Sequence, residues 1–222
     1  MKHLVISYLI QHWIFVISAI AGAIGYNIWS NKSSMSLAKK LLGFLAIAIV
    51  LHVIEEWIYP AGLHYIHNMQ FDTPAPNKYP MNQFSDMITN FVAIVIAGYG
   101  MWKHSEKMPV HIASLLFCVL EVVLHTQLGF LGIKLFGNQG FSFPYSPGSA
   151  TAFLLFLPIA IGNAIVIKRN NGFTFRNIAL GLLLLVIIMV IIIVIPEGGL
   201  KDLNTPYGFP NNGLYDHYLI GK

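Results

Sequence analysis

Residues 178–195 read IALGLLLLVIIMVIIIVI, a run without a single polar side chain. A helix of this composition has no face to turn toward water, so it must be surrounded by lipid or by other apolar helices. The rest of the chain agrees, since 56% of its 222 residues are hydrophobic and 10% are charged, whereas soluble domains carry about 25% charged residues. This composition excludes an ordinary soluble domain, and it also excludes disorder, which needs low hydrophobicity and high charge.

This run and the other apolar stretches of the chain predict six membrane-spanning helices, each near the ~20 residues that cross about 30 Å of hydrocarbon. The predicted spans are 4–29, 38–59, 85–102, 110–134, 149–167 and 175–195. The predicted fold class is therefore all-α, a polytopic integral membrane helical bundle. We expect residues 1–195 to form a single membrane-embedded domain and residues 196–222 to form a polar tail on the membrane surface.

The formal net charge of +4 does not indicate a nucleic-acid partner, because the basic residues lie singly or in pairs at the ends of apolar runs, as in membrane loops. The loops after the first, third and fifth spans carry eight of them: Lys32, Lys39, Lys40, Lys103, Lys107, Lys168, Arg169 and Arg176. The other side carries five: Lys2, Lys78, Lys134, Lys201 and Lys222. The positive-inside rule then predicts that both termini lie outside the cytoplasm.

Polar residues interrupt the second span at His52, Glu55 and Glu56. On a helix of 3.6 residues per turn, Glu55 lies about 60° to one side of His52 and Glu56 about 40° to the other. One imidazole is thus flanked by two carboxylates one turn further along.

The third and fourth spans each carry a polar pair at a spacing of four residues. These pairs are Asp86 with Asn90 and Glu121 with His125, and each shares one helix face. The polar residues lie late in span two, early in span three and in the second half of span four. Because consecutive spans alternate in direction, these positions fall in the same half of the bilayer. The charge count predicts that this is the non-cytoplasmic half.

The energetic cost makes these residues candidates for a functional site. A carboxylate near the membrane centre costs roughly 2.5–3.5 kcal/mol, so Glu55, Glu56, Asp86 and Glu121 together cost about 10 kcal/mol as an upper bound. No Lys or Arg lies inside a span near them. The remaining ways to offset this cost are protons shared among the groups and a bound cation.

Imidazoles and carboxylates from neighbouring helices form the ligand sets of zinc and of non-haem iron in helix bundles. We therefore expect a divalent metal, zinc or iron, with ligands from three helices: His52, Glu56, Asp86 and His125. The predicted catalytic groups are Glu55 or Glu121 as general base and Asn90 as an orienting or substrate-polarising group. Asp86, near a predicted helix start, is equally suited to capping that helix.

Three functions remain open at this point. The first is a metal-dependent hydrolase acting on a lipid or another amphiphile that reaches the site from the bilayer. The second is a proton- or cation-coupled transporter or channel-like protein that uses the same carboxylates and imidazoles. The third is a structural or immunity-type membrane protein in which the polar cluster fixes helix packing. The polar stripes lie in one half of the bilayer, which argues against a continuous conduction path.

The run His52-Val53-Ile54-Glu55-Glu56, followed by Trp57, Tyr59-Pro60-Ala61-Gly62 and Asn68, resembles the signature of the HXXEE family. His125, residues 145–152 (YSPGSATA) and residues 155–158 (LFLP) are similar to that family's later segment. The resemblance covers roughly residues 45–165. It implies a small multi-helix protein of the bacterial cell membrane whose hallmark is one His and paired Glu, and it implies no particular activity.

Overall fold

The computed structural model describes residues 2–219, and it is all-helical, with no strand in that range. The main helices in this range are α1 (Lys2–Ser30), α2 (Leu37–Trp57), α3 (Leu63–Met69), α4 (Gln83–Val95), α5 (Met108–Phe136), α6 (Ser149–Arg169) and α7 (Phe175–Leu200). A final short helix, Asp216–Leu219, lies in the C-terminal tail. The predicted all-α class is confirmed.

Five of these helices, α1, α2, α5, α6 and α7, are long and apolar enough to cross a membrane. The sixth predicted span, 85–102, corresponds to α4 continued by a π-helical turn, Ile96–Met101. At about 1.5 Å per residue this continuous segment is roughly 28 Å long, close to the thickness of the hydrocarbon core. The chain is thus an integral membrane protein with about six spans, while its membrane sidedness stays a prediction.

The last span ends later than predicted. A π-helical turn at Val190–Val194 leads into a further helical segment, Ile195–Leu200, with Pro196 in its first turn. Proline has no N–H for the helical ladder, and a π-helical turn directly before it is the kind of local irregularity that accommodates a proline inside a continuous helix. Helix α7 therefore continues to Leu200 and carries Glu197 to the end of the bundle.

Local capping explains where α2 and α4 begin. The Ser36 hydroxyl accepts a hydrogen bond from Lys39 N at the start of α2. Asn82 and Ser85 form a reciprocal capping box at the start of α4, which puts Asp86 in its first turn. Such caps satisfy backbone donors that have no partner within the helix.

Helix α2 lies at the centre of the bundle and packs against α1, α4, α5 and α6. Over half of its most apolar window is buried, 56%, compared with 11% for α7. The polar residues near its C-terminal end consequently face protein rather than lipid.

The C-terminal tail packs over the end of the bundle at which α2 ends and α4 and α6 begin. Backbone hydrogen bonds join Gln83 N to Tyr207 O at 2.9 Å and Phe209 N to Asn77 O at 2.8 Å. Tyr215 is fully buried in a small apolar cluster with α3 and α5. Residues 220–222, including Lys222 of the charge count, lie outside the described range, and the tail's position on the membrane surface stays a prediction.

Candidate metal centre

Three side chains from α2 and α5 converge on one point: His52, Glu56 and His125. The two Nε2 atoms are 3.1 Å apart. Glu56 Oε1 lies 3.0 Å from His52 Nε2 and 3.4 Å from His125 Nε2. All three residues are buried, and no other group of His, Cys, Asp and Glu among the described residues has such closely spaced donor atoms.

A threonine on α6 fixes the tautomer of His52. His52 Nδ1 lies 2.7 Å from Thr151 Oγ1. The Thr151 hydroxyl proton is directed to Glu55 Oε2 at 2.7 Å or Gly148 O at 3.1 Å, both of which only accept. Thr151 Oγ1 must therefore accept from His52 Nδ1–H, so in the neutral ring the lone pair lies on Nε2.

A serine does the same for His125. Ser146 Oγ donates to His125 O at 3.0 Å, which leaves an Oγ lone pair for His125 Nδ1–H at 3.1 Å. Ser146 is itself held by Ser149, whose hydroxyl accepts from Ser146 N. Metal-ligating histidines commonly donate their second ring N–H to a neighbouring oxygen in this way.

With both rings neutral, two Nε2 lone pairs and a carboxylate oxygen face each other at separations that are unfavourable without a positive charge between them. Ligands in a tetrahedral site with bonds of about 2.0–2.1 Å are roughly 3.3 Å apart. The observed separations of 3.0, 3.1 and 3.4 Å match that spacing. The arrangement suits a small divalent ion, and a shared proton is the other cation that fits it.

Glu121 lies beside this group without being part of it. Its Oε2 is 3.7 Å from His52 Nε2 and 3.6 Å from His125 Nε2. The Glu121 side chain is also more exposed, at 13%, than those of the three converging residues. From this position the Glu121 carboxylate could accept a proton from a molecule bound between the histidines and the adjoining cavity.

Comparison with known families concerns the part of the chain that holds this site. A family model described as "Protein of unknown function with HXXEE motif" matches residues 43–163. The chain belongs to the HXXEE family. Searches of the curated proteins and of the solved structures returned no match. The matched region runs from α2 into α6 and contains every residue of the converging group, so the predicted resemblance is confirmed.

The two glutamates of the HXXEE motif make different contacts. Glu56 joins His52, whereas Glu55 turns to the start of α6 and accepts the N–H groups of Ala150 and Thr151 at 3.0 and 2.8 Å. Its carboxylate also accepts from the Tyr145 and Thr151 hydroxyls, both at 2.7 Å. With its oxygens committed to four donors, Glu55 is a positioning residue for α6, and Glu121 is the better placed of the two predicted bases.

Tyr145 stays a donor to Glu55, because burial and the adjacent carboxylate raise the pKa of its hydroxyl. Tyr145 lies in the loop before α6, together with Ser146 and Gly148. This loop therefore contacts Glu55 of the HXXEE motif through Tyr145 and His125 through Ser146, and it leads directly into the α6 turn that carries Thr151.

Gly148 leaves room for both imidazoles. It has φ +97°, and a Cβ atom there would lie 2.2 Å from His125 Cε1 and 2.7 Å from His52 Cε1. Only glycine combines this backbone conformation with so close an approach. The loop thus closes directly over the two rings.

Asp86, a predicted ligand, is not brought into the converging group. Its carboxylate accepts from Trp57 Nε1 and, at 2.8 Å, from Asn90 Nδ2. It is buried, and it lines the same cavity as His52 and Glu121. Asn90 donates its amide to Asp86 and lines the same cavity, and its role as an orienting or substrate-polarising group stays a prediction.

An open cavity adjoins the converging group and is lined by residues of α2 to α7. Its polar wall contains His52, Glu56, Asp86 and Glu121. Most of the remaining lining is apolar. A mostly apolar cavity with a few convergent polar groups is typical of small-molecule sites.

Outside the spans, His64 of α3 stacks on Phe209 of the tail, with ring centroids 3.7 Å apart. Burial lowers the pKa of this imidazole to about 3, because the charged form would lose its hydration. His64 is therefore a neutral packing residue at the end of the bundle.

Sequence reasoning did not assign roles to Ser146, Gly148 or Thr151. The available signal was the small, polar run Ser146-Pro147-Gly148-Ser149 directly before an apolar span. Such a run marks a turn leading into a helix, but its contact with two histidines depends on tertiary structure.

Proposed function

We propose that this chain is a membrane-embedded, metal-dependent hydrolase that acts on a lipid or another amphiphile. His52, Glu56 and His125 hold the divalent ion, zinc or iron. The observation that carries the proposal is the convergence of two Nε2 atoms and one carboxylate oxygen at 3.0–3.4 Å, with both Nδ1 atoms within hydrogen-bond distance of hydroxyl oxygens.

The donor set supports this chemistry. Two imidazole nitrogens and a carboxylate suit zinc and non-haem iron alike, and three protein ligands leave a position open. A divalent ion at this point would act as a Lewis acid and make water nucleophilic near neutral pH.

Glu121 acts as the general base. Its carboxylate lies beyond the histidines on the cavity side, at 3.6 and 3.7 Å from their Nε2 atoms. As the water oxygen bonds to a substrate carbonyl carbon, its proton passes to Glu121. The bond from that carbon to the leaving oxygen or nitrogen then breaks, and Glu121 returns the proton to the leaving group.

The surroundings favour an amphiphile over a water-soluble substrate. Phe117, Leu124 and Ile192 line the cavity beside the polar wall and belong to helices that span the membrane. A substrate that already partitions into the bilayer would meet the reacting groups at their own depth.

A transporter is the second candidate, and one observation favours it. His111, Ser114 and Asn163 form another buried polar group, with His111 Nδ1 2.6 Å from Asn163 Oδ1. It lies about 15 Å from Glu121 along α5, toward the other face of the membrane. Buried Cys118 and the aromatic pair Phe117–Phe156 lie between the two clusters and interrupt a polar path, so the hydrolase ranks first.

The test combines metal analysis and hydrolysis on purified protein in non-ionic detergent. We expect one metal ion per chain in the unaltered protein, none in His52→Ala, and an unchanged content in the control His12→Ala, whose ring is exposed and contacts only its own helix and neighbouring aromatic rings.

Glu121→Gln should keep the metal. It should also hydrolyse a medium-chain p-nitrophenyl ester about 10²–10⁴-fold more slowly than the unaltered protein. Folded, metal-free protein contradicts the proposal. Proton or cation flux in proteoliposomes made from such protein would support the transporter, and neither flux nor metal would support a structural role.

A further inference from the structure

Helix α7 changes neighbours along its length. Its first part, Phe175–Met189, packs against α5, whereas Val190–Val194 and Ile195–Leu200 pack against α4. The π-helical turn lies where the neighbour changes. The C-terminal part of α7 therefore diverges from α5, and the cavity beside the converging group is lined by both helices; the space between them is called the gap below.

The cavity extends into this gap. Leu124 and Leu128 of α5 line it on one side, and Ile192 and Ile193 of α7 line it on the other. Both walls are apolar and belong to spanning helices. An acyl or alkyl chain could pass between them without leaving an apolar environment.

The polar end of the cavity is acidic. Glu56, Asp86, Glu121 and Glu197 all line it, and none of its described lining residues is Lys or Arg. A divalent ion beside Glu56 and Glu121 would offset two of these charges. Asp86 and Glu197 would remain.

Asp86 and Glu197 have no strong cationic partner among the described residues. Asp86 accepts only from the neutral donors Trp57 and Asn90. Glu197 Oε1 lies 3.6 Å from His67 Nε2, which is beyond hydrogen-bond distance. Burial disfavours the charged form of such carboxylates; an ammonium group beside them would offset this cost, whereas an anionic headgroup would increase it.

We infer that the gap between α5 and the C-terminal part of α7 is the lateral entrance for an amphiphile with a positively charged amine head, which Asp86 and Glu197 hold. This inference rests on the proposed function and narrows its substrate to amine-bearing amphiphiles. A phosphate-headed lipid is disfavoured at the same site by like charge.

The experiment uses metal-loaded protein in nanodiscs of a zwitterionic phospholipid. Three spin-labelled C18 chains that differ only in their head, an amine, an alcohol and a phosphate, are added in turn. Electron paramagnetic resonance measures the motionally restricted fraction of each label. We expect the amine label to be favoured over the phosphate label by about fivefold, the upper end for a partly exposed ion pair.

Two variants test the residues. Glu197→Gln, alone and with Asp86→Asn, should remove most of the amine preference. Ile193→Trp should lower the restricted fraction of all three labels by filling the gap. The control Glu106→Gln removes a largely exposed carboxylate that does not line the cavity and should change nothing.

The metal content of the same samples separates this inference from the proposed function. Bound metal with equal restriction of amine and phosphate labels contradicts the inference and leaves the metal site intact. An amine preference that survives in Glu197→Gln and in the double variant also contradicts it. Absence of metal from folded protein contradicts the proposed function, whatever the labels do.

Discussion

Glu55 and Glu56 are adjacent in the chain, yet their carboxylates serve different parts of the molecule. Glu56 Oε1 lies 3.0 Å from His52 Nε2, whereas Glu55 accepts the N–H groups at the start of α6. Consecutive residues on a helix differ by about 100° in direction. The paired glutamates of the HXXEE motif thereby join the converging group to the loop that orients its histidines.

Replacing Glu55 with Gln should lower the free energy of unfolding by about 1–3 kcal/mol. The amide turns one acceptor into a donor, which then faces backbone N–H and hydroxyl groups at the α6 start. Thermal unfolding in detergent measures the effect. Glu106→Gln, at an exposed position, should change stability by less than about 0.5 kcal/mol, and equal effects of the two substitutions would contradict the capping role.

Gly148→Ala should abolish metal binding, because its Cβ would overlap both imidazoles. Gly140→Ala is the matched control, since Gly140 has a similar φ, +92°, but nothing within 4 Å of the added Cβ. Both variants carry the backbone strain of about 1–2 kcal/mol for a left-handed alanine. Only Gly148→Ala should lose metal, as measured by elemental analysis, and normal metal content in that variant would contradict the described closure of the loop.

Thr151→Val should weaken metal binding by about 10–100-fold. The substitution keeps the shape of the side chain but removes the oxygen that accepts from His52 Nδ1. Competition with a metal-buffering chelator measures the affinity. Thr126→Val is the control, because the Thr126 hydroxyl bonds only to its own helix at Val122 O, and an unchanged affinity in Thr151→Val would show that the hydroxyl does not fix the tautomer.

Because His64 is buried as a neutral imidazole, we expect the free energy of unfolding to fall in acid. The folded protein keeps this imidazole neutral down to about pH 3, whereas the unfolded chain binds a proton below its ordinary pKa of 6.5. Between these values the unfolded state holds more protons, so stability falls as the pH falls. The contribution at pH 5 is about 2 kcal/mol.

His64→Phe should flatten the pH dependence between 7 and 5 by that amount while keeping the stacking on Phe209. Thermal unfolding at several pH values makes the comparison. Identical pH profiles for the two proteins would contradict a buried neutral His64.

Much of the fold was predictable, because lipid imposes long apolar helices that are visible in sequence. Five of the predicted spans match helices long and apolar enough to cross a membrane, and the sixth matches α4 with its π-helical extension. The end of α7 was not predictable from Pro196, since the preceding π-helical turn changes where a proline is tolerated.

The candidate site was predictable only as a set of residues. Helical spacing placed His52 near both glutamates and His125 near Glu121, but it could not say which glutamate turns toward the histidines. That choice depends on α6, whose N-terminal amides attract Glu55. The sequence was equally unable to say whether Asp86 binds the metal or caps its helix. In the structure its carboxylate accepts hydrogen bonds from the Trp57 indole and the Asn90 amide and lies outside the converging group.

X-ray absorption at the metal edge on the purified protein tests the central claim most directly. We predict one zinc or iron ion per chain, with two imidazole nitrogens and carboxylate oxygen at about 2.0–2.2 Å, and loss of the bound metal in both His52→Ala and His125→Ala. Folded protein that binds neither metal, or a bound metal whose spectrum is unchanged in both His52→Ala and His125→Ala, would contradict the account.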